Sequence, residues 1–363
     1  MTEGRETRFE LARWIVGMAH SVKYNLGSTE IQGRVADAYY PEKGLSISGG
    51  SWEGDKQLKE LLAGIYGVKA ENIATASGAS EANFLVIFAA LRQKGKKRGT
   101  VLVENPVYSP LWGIGDLLGA KVRRWQRRYK HGFGLDLEKL KKLIKGVSVV
   151  TLTNLHNPSG VAIPPADMKA AAEIAKDAGA IIHCDEVFRG FAPEKTEPTF
   201  RAGDNCITTC SASKFYGAGG VKVGWLVASE EWINRIWTVR EMTSCNCSRI
   251  DEDMMKKILK DEALAADSRE IAKRNVALVK KWVESNKRVS WVESNGGMCF
   301  PKLKGVKSSV KFAEYMLKNH DTLVSPGHFF GLERHIRIGL GGPADILEGG
   351  LANLSKALET YRE

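Results

Sequence analysis

The chain has 363 residues, ordinary apolar and charged fractions (43% and 26%) and a formal net charge of +11. That length indicates two or so domains with a sizeable core. No apolar run is long enough to span a bilayer, and the charged start M-T-E-G-R-E-T-R-F-E is no secretory signal.

Six cysteines without a CxxC pair argue against a disulfide framework and a zinc site, and place the chain in the reducing cytoplasm. Basic clusters at 94–98 and 123–130 carry no zinc-finger or helix-turn-helix pattern. Solvated faces account for them better than a nucleic-acid partner does.

Residues 9–18 form one amphipathic segment, followed by Y-N-L-G-S. Residues 39–51 are loop-like, and 54–66 carry Leu58, Leu61, Leu62 and Ile65 at helical spacing. An alternation then begins. Strands are expected at 73–77, 100–104, 121–125, 147–153, 180–184, 206–210 and 221–228, and helices at 79–94, 110–118, 137–144 and 165–178. Such alternation predicts an α/β fold with a seven-stranded, mostly parallel sheet sandwiched by helices. After about residue 230 the character changes. Helices are expected at 231–243, 251–287, 308–319 and 345–361, with short strands at 289–292, 298–303, 322–325 and 335–339. The expected organisation is an N-terminal segment (1–45) packing on a small α+β domain (246–363), with a large domain (46–245) between.

Open α/β sheets bind ligands at the carboxyl ends of their strands. Ser77-Gly78-Ala79-Ser80 opens a helix with small residues, where free backbone N–H groups and the helix dipole can hold a phosphate. Tyr108 stands at the mouth of the sheet, where it can stack on a planar ligand. Asn157 precedes Pro158 in N-L-H-N-P-S-G, an amide in a fixed turn. Asp185 ends an apolar strand and needs a partner to offset its desolvation. Lys214 follows another strand in T-T-C-S-A-S-K-F-Y-G-A-G-G-V-K-V-G-W; a desolvated lysine there loses its proton readily and condenses with carbonyls. Arg337, inside H-I-R-I-G, is either a bidentate carboxylate receptor or an edge residue facing water. Each feature alone also has a plain structural explanation. Together they describe one ligand with a phosphate, an aromatic ring bearing a basic nitrogen, a phenolic oxygen and an aldehyde, beside an anionic substrate. That is pyridoxal 5′-phosphate and an amino acid.

The motifs S-G-A-S-E-A (77–82), H-N-P-S-G (156–160), D-E-V-F (185–188), S-A-S-K (211–214), K-V-G-W (222–225) and I-R-I-G (336–339) resemble, in order and separation, those of class I/II aminotransferases of the fold type I pyridoxal-phosphate enzymes. The resemblance implies ping-pong transfer of an amino group from an amino acid to a 2-oxo acid, in a homodimer with active sites at its interface. Lys214 would bond the cofactor aldehyde and carry the proton between substrate Cα and the cofactor. Asp185 would keep the ring nitrogen protonated, Asn157 would bond the phenolic oxygen, and Tyr108 would stack on the ring. Ser77, Gly78, Ala79, Ser80, Ser211, Ser213 and Lys222 would surround the phosphate. Arg337 would clamp the substrate carboxylate, under a closing segment at Gly27.

Two positions depart from the family pattern. Phe188 replaces the tyrosine of D-E-x-Y, and Lys222 replaces the arginine of R-x-G-W, keeping the charge without the bidentate fork. Tyr39, Tyr40 and Trp52 are the choices for an aromatic residue reaching across the dimer; with Phe188 and Phe329 they also form the expected aromatic rim. The same residues serve a β-lyase or a cyclising enzyme on this fold. A cofactor-binding regulator would need a DNA-binding domain ahead of Gly54, where about fifty residues are too few beside the N-terminal segment. A nicotinamide site at 217–224 fails on spacing, because no G-x-G-x-x-G leads into a helix. No Walker A, HExxH or nucleophile-elbow motif occurs, and no metal site is expected.

Overall fold

The computed structural model describes residues 9–40, 54–92, 99–194 and 196–363. Trp52, the basic cluster at 94–98 and the expected boundary at 45/46 lie outside the described residues.

In chain order the elements are α1 (Glu10–Met18), β1 (Tyr24–Asn25), α2 (Lys56–Tyr66), β2 (Ile73–Ala76), α3 (Ala79–Leu91), β3 (Thr100–Asn105), α4 (Pro110–Leu117), β4 (Lys121–Gln126), α5 (Leu137–Leu143) and β5 (Val149–Thr153). Next come α6 (Pro165–Asp177), β6 (Ile181–Asp185), β7 (Cys206–Ser211), β8 (Gly224–Val227), α7 (Glu230–Glu241), α8 (Arg249–Lys260) and α9 (Glu262–Ser285). The chain closes with β9 (Val289–Ser290), β10 (Met298–Cys299), β11 (Lys302–Leu303), α10 (Ser309–His320), β12 (Thr322–Leu323), β13 (Ser325–Pro326), β14 (Ile336–Gly339) and α11 (Ala344–Thr360).

A seven-stranded sheet in the order β2-β8-β7-β6-β5-β3-β4 dominates the structure. Only β8 runs against its neighbours; the other ladders are parallel. Strands β5 and β6 are buried at every position, as expected where helices cover both faces. One face packs Leu85 and Val86 of α3 with Leu111, Ile233 and Ile236; the other packs Leu140, Met168, Ala171 and Ala175 of α5 and α6. Edge strand β4 reads K-V-R-R-W-Q and is largely polar, which discourages edge-to-edge pairing. Because the parallel strands share one direction, the residues that end β2, β3, β5, β6 and β7 emerge on one side of the sheet. Gly224 opens antiparallel β8 at that same side.

A second core gathers Val279, Trp282, Phe312, Met316, Ile338 and Leu354 around the antiparallel trio β10-β14-β13. Leu26 belongs to this core, and β1 pairs in parallel with β12, so the start of the chain joins its end.

Three expected elements are each split in two. The helix expected over 251–287 breaks at Asp261, which ends α8 and caps α9 by accepting from Leu264 N at 2.8 Å. A short carboxylate competes with the helix ladder and favours a cap. The strand expected at 298–303 divides into β10 and β11 around Phe300-Pro301, since proline has no ladder donor. The run at 322–325 divides at Val324, its halves pairing with different strands, β1 and β14.

Candidate active site

A cavity of ≈ 400 Å³ opens at the carboxyl ends of the large sheet. Apart from the expected aromatic rim, the residues expected from the sequence to meet cofactor or substrate line it. On one wall are Ser77, Gly78, Ala79 and Ser80, with Ser211, Ser213 and Lys222 beside them. At its floor and opposite wall are Tyr108, Asn157, Asp185, Lys214, Gly27 and Arg337.

The phosphate-like wall begins where β2 ends. Gly78 precedes α3 with φ +86°, in the region that favours glycine, and no side chain caps the helix. The first N–H groups of α3 therefore face the cavity with the positive end of the helix dipole. Glu81 turns back to accept from Ser77 N at 2.5 Å, which fixes the turn. Ser211 and Ser213 Oγ atoms lie 2.9 Å apart beside it, and Lys222 is exposed at the rim. Gly224 passes underneath: a Cβ there would meet Gly78 C at 2.4 Å and Ala79 N at 2.7 Å. Gly224→Ala is expected to cost about 1–3 kcal/mol by overpacking against backbone, read by denaturant unfolding. It should also weaken cofactor binding, because the turn that must shift is the anion cradle.

Asp185 ends β6 and is buried. Its Oδ2 accepts from Asn83 Nδ2 at 2.7 Å and its Oδ1 from Val187 N at 3.0 Å. Both donors are neutral. Burial therefore raises the pKa of Asp185, while the Asn83 and Val187 hydrogen bonds and the charge of Lys214 pull it partly back. A cationic N–H arriving from the cavity would complete this pairing. Behind Asp185, Asn83 Oδ1 meets Thr209 Oγ1 at 2.6 Å and His183 Nε2 at 3.1 Å. Burial pushes His183 down to about 3, so it remains a neutral support.

Lys214 lies just past β7, its side chain 30% exposed within the cavity, with Nζ 3.6 Å from Glu30 Oε2. Desolvation lowers its pKa; Glu30 opposes this and Arg337 adds to it. Tyr108 packs edge-on against Phe9 at 5.2 Å, and burial raises its pKa to about 12, leaving a neutral ring.

Arg337 is 3% exposed. It donates to Asn157 Oδ1 at 3.1 Å, Gly27 O at 3.1 Å and Ser325 Oγ at 3.4 Å, and lies 4.9 Å over the Phe330 ring. Its Nε has no partner, and no carboxylate pairs with it among the described residues. Desolvation lowers its pKa to about 10, so it stays charged at neutral pH. A buried guanidinium that lines a cavity without a paired carboxylate is suited to receive one. Asn157 in turn is held through its N–H by Thr153 Oγ1 at 2.9 Å. Thr153 bonds Glu104 Oε1 at 2.5 Å, and Glu104 forms a buried ion pair with Arg127 at 2.7 Å. With Asn157 Oδ1 engaged by Arg337, its Nδ2 is left to donate into the cavity.

These features fit pyridoxal phosphate at each group: an anion cradle, a buried carboxylate short of a cation, an amide donor and a lysine whose pKa desolvation lowers. The sequence did not disclose several neighbours. Asn83 sits mid-helix in α3; its one signal was a lone amide in an apolar run. Thr153 and Glu30 also line the site, as do Phe9, Leu11, Ala12 and Ile15 of the α1 segment. The expected aromatic rim is corrected in part. Phe188 lines the cavity, but Tyr39 turns away to donate to Asp261 Oδ2 at 2.6 Å and Phe329 packs on Trp14 at 6.2 Å.

Comparison with known proteins agrees with this geometry. The model of the family described as aminotransferase class I and II matches residues 43–354. A capreomycidine synthase of Streptomyces vinaceus is 28% identical over 316 residues, 85% of this chain and 80% of that protein. An aspartate aminotransferase of Pyrococcus horikoshii is 26% identical over 324 residues, 84% of this chain and 82% of that protein. The crystal structure of a pyridoxal-phosphate-dependent aminotransferase from Streptococcus suis superposes with a TM-score of 0.91 at 26% identity, covering 99% of this chain and 100% of that one. The sheet, the site and these likenesses lead to one conclusion: the chain belongs to the class I and II aminotransferase family, with the fold type I architecture and pyridoxal 5′-phosphate as its cofactor.

Proposed function

We propose that Lys214, Asp185 and Arg337 carry out amino-group transfer from an amino acid to a 2-oxo acid in this cavity. The observation that carries the assignment is Arg337, a buried guanidinium without an anion, in one cavity with Lys214 and Asp185. When bound, the cofactor supplies the electron sink that makes the substrate Cα proton removable. Arg337 holds the substrate carboxylate, with Gly27 O and Ser325 fixing the guanidinium. Lys214 Nζ would take the proton from Cα and return it on the cofactor side, and desolvation, which lowers its pKa, favours that role. Asp185 keeps a proton on the ring nitrogen, and Asn83 orients Asp185. Asn157 Nδ2 would donate to the phenolic oxygen, and Tyr108 would stack on the ring. Ser77, Gly78, Ala79, Ser80, Ser211, Ser213 and Lys222 hold the phosphate. The α1 residues Leu11, Ala12 and Ile15 shield the cavity from water.

Adding an amino donor to the cofactor-loaded enzyme should convert the cofactor to its pyridoxamine form and release a 2-oxo acid. Release of pyruvate and ammonia without that conversion would overturn the assignment. Similarity to the Streptomyces capreomycidine synthase favours one second reading: a lyase or cyclising enzyme using the same residues.

Phe188 cannot donate to the phenolic oxygen. Phe188→Tyr adds that donor, stabilises the oxygen's anionic form and weakens its hold on a neighbouring proton. The pH midpoint of the cofactor's visible band is expected to fall by about one unit. An unmoved midpoint would remove Phe188 from this role.

The reading extends to a homodimer with active sites at its interface, testable by sedimentation, and to a cytoplasmic location, supported by buried free thiols such as Cys184, Cys210 and Cys299. The division into 1–45, 46–245 and 246–363 is supported by the two separate cores and by the β1–β12 pairing.

A further inference from the structure

Two carboxylates line the cavity among the described residues, Asp185 and Glu30. Asp185 is committed to Asn83 and to the ring nitrogen. Glu30 has one partner, Lys214 Nζ at 3.6 Å, and its side chain is 45% exposed. Under the reading above Lys214 would be bonded to the cofactor at rest and released as a neutral amine when substrate binds, so Glu30 would face no ammonium from Lys214 until the Cα proton is taken.

The backbone at Glu30 is held in place on both sides. Ile31 N donates to Lys214 O at 3.0 Å, and Gln32 N to Gly341 O at 3.1 Å. A Cβ on Gly341 would meet Glu30 O at 2.2 Å, and one on Gly217 would meet Ile31 O at 2.5 Å. The segment from Gly27 to Gln32 is thereby clamped between two glycines, with Gly27 O on Arg337 at one end and the Glu30 carboxylate beside Lys214 at the other.

Arg337 and Lys222 are the other lining cations. Arg337 is assigned to the α-carboxylate and Lys222 to the phosphate, so a second substrate carboxylate meets no positive partner and would instead face Glu30. The lining contributed by α1, Leu11, Ala12, Ile15 and Val16, is apolar. An aliphatic wall with one carboxylate matches a side chain of methylenes ending in a cation.

We infer that Glu30 is a specificity residue selecting amino acids with a cationic side chain, of the arginine, ornithine or lysine type; this rests on the aminotransferase reading of the cavity. The carboxylate offers a charge-assisted hydrogen bond to a guanidinium or ammonium in a partly desolvated site.

The test is calorimetric titration of the cofactor-loaded enzyme with two near-isosteric pairs, arginine against citrulline and lysine against norleucine. A charge-assisted bond predicts about 10- to 100-fold tighter binding of the charged member of at least one pair. Glu30→Gln should collapse that ratio towards one, and Glu30→Lys should reverse the preference towards glutamate. Equal affinities within both pairs in the unmodified enzyme would overturn the inference. So would a Glu30→Gln variant that weakens both members of a pair alike, since Glu30 would then act only through Lys214. The two readings fail separately. Pyridoxamine formation from norleucine and citrulline with no charge preference would leave transamination standing and remove Glu30. Charge-selective binding without any pyridoxamine formation would do the opposite.

Discussion

Replacing Lys214 with alanine is expected to lower the amino-transfer half-reaction by at least about 10⁴-fold, the upper end of what a positioned general acid–base contributes. Of the two lysines that line the cavity among the described residues, Lys222 is exposed at the rim, and Lys214 is the desolvated amine suited both to bond a carbonyl and to carry the Cα proton. Asp185 is engaged by Asn83 and Val187, and Tyr108 is held neutral with its pKa raised to about 12. Desolvation keeps Lys214 easier to deprotonate than a surface lysine, so its removal takes away a base already tuned for the step. The cofactor should still bind, because the α3 cradle, Asn157 and Asp185 remain. Single-turnover spectra and a separate cofactor-binding titration would therefore diverge. Near-normal turnover in the variant would refute the assignment. Loss of binding together with turnover would show instead that Lys214 mainly holds the cofactor.

Arg337→Ala is expected to lower kcat/KM for amino acids by about 10- to 10⁴-fold, the loss of one or two hydrogen bonds from a charged group to a carboxylate at roughly 1.5–3 kcal/mol each. The guanidinium is already oriented by Gly27, Ser325 and Asn157, so little ordering remains to be done on binding. Arg337→Lys should recover only part of the loss, since an ammonium cannot present the planar fork. The decisive comparison is an amino acid against the amine that lacks its carboxylate. The amino acid should lose its advantage in Arg337→Ala, and an equal fall for both would assign Arg337 a structural role. Truncation also removes the Arg337 donor from Asn157 Oδ1 and leaves Gly27 O with Ser325 Oγ at 3.5 Å, so stability should be measured alongside.

The sequence by itself determined the elements of the large sheet and the identity of the residues at its ligand-binding side. Apolar runs bounded by turn residues marked the strands. Chemistry-bearing side chains fell just past those runs, at Ser77, Asn157, Asp185 and Lys214, because parallel strands deliver their carboxyl ends to one side. Arg337 was legible as a charge inside a strand, though not whether it faced water; only its stacking on Phe330 and its bonds to Gly27 and Asn157 decided that. Tertiary structure alone decided what surrounds them. Strand order 2-8-7-6-5-3-4, the reversal at β8 and the β1–β12 pairing are choices among long-range partners that local periodicity does not encode. Asn83 under Asp185 and Glu104–Arg127 behind Thr153 are contacts between residues distant in sequence, as is α1 over the cavity. Glu30 shows the limit most plainly: in sequence it is an acidic residue in a polar loop, and only the glycine clamp that lays this loop against Lys214 gives its charge a direction.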